Sequence, residues 1–267
     1  MNSNERTTRI PLLMYQECPK CRHKPLPADQ SLPAACPACG LVLAKYGVVP
    51  TRQVTERKPS LASRPEQLWA LLTLVPARVD AVSFWFRVAL WAVFAVWAGR
   101  LLLLDIRTGE MGASFLHGPL LVFHEAGHVV FMLFGEFMTI AGGTLGQLIM
   151  PGILCGALLI KNRDPFGAAI GLWLVGASLL DIAPYAYDAL QPQLMLLGGR
   201  TGDDGGPHDW IYLLTKLGLL KRAHGVGYVF YLLGAMTLLI SVWWGAWLLW
   251  QQRRRLSSNI VLDEDSH

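Results

Sequence analysis

The strongest constraint on this chain is where its charges are missing. Lys, Arg, Asp and Glu make up 16% of the 267 residues and crowd the first eighty positions and the last fifteen. An ordinary soluble domain carries about a quarter charged residues. Between the two charged ends lie apolar stretches long enough to cross a bilayer, which takes about 20 residues of helix. The chain therefore reads as an all-α polytopic membrane protein with a small N-terminal soluble part. The formal net charge of +4 reflects juxtamembrane Lys and Arg, which speak to orientation; nucleic acid is not an expected partner. Residues 1–10 (MNSNERTTRI) lack the apolar core of a secretory signal, so none is expected there.

Four of the five cysteines form Cys18-Pro-Lys-Cys21 and Cys36-Pro-Ala-Cys39, a Cys-x2-Cys-x14-Cys-x2-Cys pattern. That spacing suits four thiolates around one structural zinc, the frame of a zinc ribbon over residues 16–47. Gly40 suits a tight knuckle after Cys39. So small a unit cannot bury enough core to fold alone, so the metal would supply folding free energy. Such thiols imply a reducing compartment and a cytoplasmic N-terminus. A redox dithiol pair or an iron site is the alternative. Ribbons bind protein or nucleic acid, and a cytoplasmic protein partner is the expectation here. Lys20, Arg22, His23 and Lys24 allow a weak anionic contact. Cys155 stands alone in an apolar stretch and reads as packing.

A first spanning helix is expected at 84–104, with Arg87 and Arg100 near its ends, where long side chains reach the headgroups. A second covers about 117–134. The next segment, AGGTLGQLIMPGILCGALLI at 141–160, holds Gly142, Gly143, Gly146, Pro151 and Gly152, which argue against one regular helix. A third helix is expected at 166–183, ending near Pro184. The last, about 226–250, is Trp-rich toward its end and followed by Arg253, Arg254 and Arg255, which point to a cytoplasmic C-terminus. Both ends inside requires an even number of crossings. The expectation is four spanning helices, with 141–160 entering and leaving on one side as a re-entrant element.

VFHEAGHVVF, residues 122–131, carries the chemistry. His124 and His128 are four residues apart, share a helix face and can hold one metal ion. Glu125 can act as general base on the attacking water, as in zinc peptidases. An apolar helix makes an accident of composition less plausible, because a buried charge there costs about 2.5–3.5 kcal/mol and needs a purpose or a partner. A catalytic zinc needs a third protein ligand. Asp181 and Asp188, in SLLDIAPYAYDA, are the strongest candidates; capping or solvation is the plainer role for Asp188. Asp181 would share the depth of His124 if their helices run antiparallel. His208 and Asp209, in GGPHDW, form another candidate pair, able to cap a helix, supply a ligand or stabilise a tetrahedral intermediate. His117 reads as an interfacial residue.

HEAGH in an apolar helix, followed by a glycine-rich segment, resembles the site-2 proteases, zinc metalloproteases that cut substrates inside the bilayer. Their second motif, Asn-x-x-Pro followed by Leu-Asp-Gly, is similar to DIAPYAYDA: Asp181 stands at the Asn, Pro184 at the Pro and Asp188 at the zinc-ligating Asp. Here the Asp comes one residue early, Ala189 replaces the Gly and the first position is acidic. The resemblance covers roughly 117–190. It implies a catalytic zinc besides the ribbon ion and a transmembrane protein substrate. The expected domains are the ribbon at 1–47, a linker at 48–80, a metalloprotease-like membrane domain at 81–255 and a polar tail at 256–267. The expected location is a bacterial inner membrane with both ends cytoplasmic. Cleavage would require an unwound substrate helix, to which the 141–152 segment could offer an edge. A non-catalytic scaffold or metal-responsive regulator is the alternative, though such a relative would usually have lost Glu125 or a His. A zinc transporter ranks last, because no inverted repeat is visible.

Overall fold

The computed structural model describes residues 15–28, 30, 34–43, 64–76 and 79–264. The chain divides into two compact units, Met1–Ala62 and Ser63–His267. Residues 44–47 of the expected ribbon and 48–63 of the expected linker lie outside the described residues.

In the first unit the two Cys-x-x-Cys turns are built alike. Arg22 N–H donates to the Cys18 carbonyl at 2.8 Å and Cys18 N–H to the His23 carbonyl at 3.1 Å. Gly40 N–H donates to Cys36 at 2.9 Å and Cys36 N–H to Leu41 at 2.8 Å. The fourth residue after the leading cysteine is left-handed in both turns, Arg22 at φ 60 and Gly40 at φ 69. Glycine adopts that conformation freely, whereas an arginine there costs about 1–2 kcal/mol.

The second unit is helical throughout its regular elements. Helix α1 (Arg64–Leu72) stands where a structureless linker was expected. Then follow α2 (Ala81–Leu102), α3 (His117–Phe131), α4 (Glu136–Gly156), α5 (Pro165–Asp188), α6 (Asp209–Lys216) and α7 (Ala223–Glu264). A 3-10 turn at Met132–Phe134 and Gly135 at φ 90 join α3 to α4. Among the described residues, four helices are long and apolar enough to cross a membrane: Ala81–Leu102, Glu136–Lys161, Pro165–Asp188 and Leu220–Leu256. Their outer faces leave large apolar side chains uncovered, Val82, Trp85, Phe86, Leu239 and Trp243 among them. A face of that kind suits lipid and not water. The chain is thus built as an integral membrane protein.

The number of spans is the expected one, but the membership differs. Segment 141–160 is not re-entrant. It belongs to α4, which continues through a π turn at Ala157–Lys161 into one 26-residue helix. Gly142 and Gly146 are places where another helix comes close: a Cβ on Gly142 would lie 2.6 Å from the Gly127 carbonyl oxygen, and one on Gly146 would lie 2.6 Å from that of Phe123. Small residues at such contacts let membrane helices pack backbone to backbone, and that outweighs the roughly 1 kcal/mol each glycine costs a helix. Conversely, α3, expected to span, has 15 residues, about 22 Å of helix against a hydrocarbon core of about 30 Å. Nor does Pro184 end its helix; α5 runs on to Asp188 with Pro184 buried. Membrane helices accept proline where neighbouring helices satisfy the freed backbone groups.

Contact pairs give the running directions. Cys155 lies on Gly171 and Gln147 on Asp181, so α4 and α5 are antiparallel. Phe131 lies on Gly142 and Phe123 on Gly146, so α3 and α4 are antiparallel too. Therefore α3 and α5 run in the same sense, opposite to the expectation. The central helix is α5, with 67% of its most apolar window buried against 11% for α2. Aromatic N–H and O–H groups tie the spans together: Trp173 donates to Phe94 O at 3.0 Å, Trp91 to Val242 O at 2.9 Å and Tyr231 to Leu102 O at 2.8 Å. Arg255 donates to Pro76 O at 2.9 Å, so α7 returns to the end of the bundle where α2 begins.

Candidate metal centres

Two groups of side chains among the described residues can hold a metal ion: Cys18, Cys21, Cys36 and Cys39 in the first unit, and His124, His128 and Asp209 in the second.

The four cysteines are all free thiols. Cys18 Sγ is 3.6 Å from Cys39 Sγ, and Cys21 Sγ is 3.7 Å from Cys36 Sγ. A disulfide would require about 2.05 Å. Four sulfurs at about 2.3 Å from one tetrahedral ion lie about 3.8 Å apart, close to what is seen. The thiols also cannot ionise together unaided. Cys18 is lowered to about 6: burial opposes ionisation, and the backbone N–H groups of Cys21 and Lys20 outweigh it. Cys21 is raised to about 12: the backbone of His23 favours its thiolate, but burial and the neighbouring sulfurs of Cys39, Cys18 and Cys36 prevail. A dication shared by all four sulfurs is what would let them be thiolates together.

The second group is built by three elements. α3 projects His124 and His128 from one face, one turn apart, onto α4. A Cβ on Gly143 would lie 2.5 Å from His124 Nε2 and 2.7 Å from His128 Cε1, so only glycine lets both rings sit there. Asp209 opens α6, whose N-cap His208 accepts from Ile211 N–H at 3.4 Å. Asp209 N–H donates to the Tyr185 hydroxyl at 3.0 Å, which fixes the turn against α5. One oxygen of Asp209, Oδ2, then lies 2.9 Å from His124 Nε2 and 3.2 Å from His128 Nε2. Ligand atoms at about 2.0–2.1 Å from a tetrahedral ion lie about 3.3 Å apart.

The other ring nitrogens decide what these contacts mean. His128 Nδ1 is 2.8 Å from the Thr139 carbonyl, which can only accept, so Nδ1 carries the hydrogen. His124 Nδ1 faces Gln147 Oε1 at 3.3 Å and is placed likewise. With Nδ1 protonated, each Nε2 offers a lone pair to the same point as the carboxylate. Either both rings are cations, 4.8 Å apart in apolar surroundings, or one metal ion takes the place of two protons. Metal-ligating histidines are held in this way, the far N–H on a carbonyl or carboxylate. The donor set fits a metal.

Asp209, not Asp181 or Asp188, thus completes the group. Asp181 instead faces the first turn of α3: it accepts from His117 Nδ1 at 2.8 Å and from Gln147 Nε2 at 2.6 Å. Asp188 accepts from the backbone N–H groups of Gln193 and Leu194 at 2.9 and 3.1 Å and faces His208 Nε2 at 3.5 Å, pinning the loop after α5. His117, expected at the interface, is half-buried and is the partner of Asp181. Cys155 packs on α5, donating to Ala168 O at 3.3 Å. Gln147 and Tyr185 were missed; a lone Gln inside an apolar span was the available signal for the first.

Glu125, Tyr185 and Asp209 line one cavity of about 680 Å³ with the two histidines, and the apolar segment 194–197 forms part of its wall. A carboxylate free of the ligand set, a phenol and a three-residue metal group therefore share a single volume. No family model, no curated protein and no solved structure matches this chain.

Proposed function

We propose that the protein is an intramembrane zinc metallopeptidase, a distant relation of the site-2 proteases, that hydrolyses peptide bonds of membrane-embedded protein substrates. The observation that carries this reading is the convergence of His124 Nε2, His128 Nε2 and Asp209 Oδ2, with Glu125 in the same cavity. Three protein ligands leave the open position that separates catalytic from structural zinc sites. When bound, zinc would make water acidic enough to attack at neutral pH and would polarise the scissile carbonyl. Glu125 takes one proton from the attacking water as its oxygen bonds to the carbonyl carbon, then delivers that proton to the departing nitrogen as the C–N bond breaks. The Tyr185 hydroxyl accepts from Asp209 N–H, and its own hydrogen remains to donate to the developing oxyanion. The apolar 194–197 segment suits a hydrophobic substrate strand.

In this reading the cysteine group is a zinc ribbon that engages a cytoplasmic protein partner, both chain ends are cytoplasmic, and the membrane is a bacterial inner membrane. The test is zinc per chain in detergent-solubilised protein. Wild type should hold two ions and the His124→Ala/His128→Ala variant one. A single ion in both, with helicity intact, would leave the ribbon metal alone and remove the peptidase reading.

A further inference from the structure

The buried carboxylate of Asp181 touches neither metal group, yet it is connected to one of them. Its Oδ2 lies 2.6 Å from Gln147 Nε2, and Gln147 Oε1 lies 3.3 Å from His124 Nδ1. Its other oxygen lies 2.8 Å from His117 Nδ1. Donor and acceptor roles along this chain follow from one fact: a carboxylate has no hydrogen to give. Gln147 must therefore turn its NH2 toward Asp181. The amide is rigid and two-ended, so its carbonyl must then face His124. A carbonyl only accepts, so His124 must carry its hydrogen on Nδ1 and leave the Nε2 lone pair pointing toward His128 and Asp209. Were the amide reversed, its NH2 would face Nδ1, the hydrogen would move to Nε2, and His124 could not bind a metal.

We propose that Asp181 is a positioning residue that sets the metal affinity of the His124–His128–Asp209 group through Gln147, by fixing which nitrogen of His124 is free. His117 completes the device by occupying the remaining Asp181 oxygen, so the carboxylate is used on both sides. The proposal rests on the metal-site reading above and supplies what a charged group buried in an apolar span needs, a purpose.

The test exchanges the polarity of the relay in full-length, detergent-solubilised protein, with cobalt(II) as the probe. Thiolate-bound cobalt absorbs through intense charge-transfer bands that a His/carboxylate site lacks, so loading at the two groups is read separately. Asp181→Asn removes the obligate acceptor and permits the reversed amide; cobalt affinity at the histidine group should fall about 10–100-fold while the thiolate bands are unchanged. Gln147→Glu added to Asp181→Asn places the obligate acceptor against His124 and an amide donor behind it, and should restore affinity to within a few-fold of wild type. A purely structural role for Asp181 predicts no rescue, because the double variant departs further from the native packing. Wild-type affinity in Asp181→Asn, or no recovery in the double variant at native helicity, would overturn the proposal. If His124→Ala/His128→Ala bound as much cobalt as wild type, the metal-site reading itself would fail, whatever Asp181→Asn did.

Discussion

Glu125 and Asp209 show how far a residue's chemistry depends on where its neighbours are placed. Glu125 follows His124 directly, and helix geometry alone sends it off the ligand face while keeping it at the rim of the cavity. Glu125→Gln keeps the shape and removes the base; peptide hydrolysis should fall about 10²–10⁴-fold with two zinc ions still bound, read by metal analysis beside a cleavage assay. Asp209→Ala should instead lose the second ion, because the two imidazoles then lack the carboxylate they converge on. Retention of both ions in that variant would mean that the third ligand lies elsewhere. Tyr185→Phe removes both the proposed oxyanion donor and the acceptor that holds Asp209 N–H, so it should lower turnover about 10²-fold and also weaken binding of the second ion, read by metal analysis beside the same cleavage assay. The His-x-x-x-His spacing was legible because it is local, a single helical turn. Asp209 lies 85 residues from His124 in the chain, and nothing short of the fold brings them together.

Among the elements, the α3–α4 hairpin is what carries the site, and it depends on the absence of side chains. Gly127 and Gly142 meet so closely that a Cβ on Gly127 would fall 2.0 Å from the Gly142 carbonyl oxygen. A Cβ at Gly143 would strike His124. Gly143→Ala should therefore displace the imidazoles and lose the second metal ion while helical circular dichroism stays within a few per cent of wild type. Gly152→Ala, with nothing within 4 Å of the added methyl, should behave as wild type in the same two measurements. The glycine and proline content of 141–160 reads locally as a break in a helix. In the folded protein Gly142, Gly143 and Gly146 are the contact surface, and the packing they permit is worth more than the helix propensity they forfeit.

For the whole molecule, the two metal groups belong to separate compact units and should respond separately. Metal binds thiolates, and protons compete for them. Cys18 ionises at about 6 and Cys21 only at about 12, so zinc binding at neutral pH must displace protons, and acidification must reverse it. Affinity at the cysteine group should fall at least about tenfold per pH unit between about pH 8 and pH 6, measured by chelator competition on the His124→Ala/His128→Ala variant. A pH-independent affinity there would rule out a thiolate site. The helical content of Ser63–His267 should not change as the cysteine metal is removed.

By itself the sequence determined what depends on composition and short spacing: that the chain is helical and membrane-embedded, that two histidines share one helical face, and that four cysteines form a set able to hold a metal ion. The expected count of four spans agrees with the structure only because α3, expected to span, is too short and α4, not expected to, is long enough. The tertiary structure alone decided which segments those spans are, since α3 is too short and α4 is made continuous by packing that its own residues do not announce. It alone decided the running direction of α3 against α5, and it alone placed Asp209 beside His124 and His128 while leaving Asp181 behind Gln147. Helix pairing is set by which small residues allow close approach between distant parts of the chain, a property of two surfaces together that no single stretch of sequence contains.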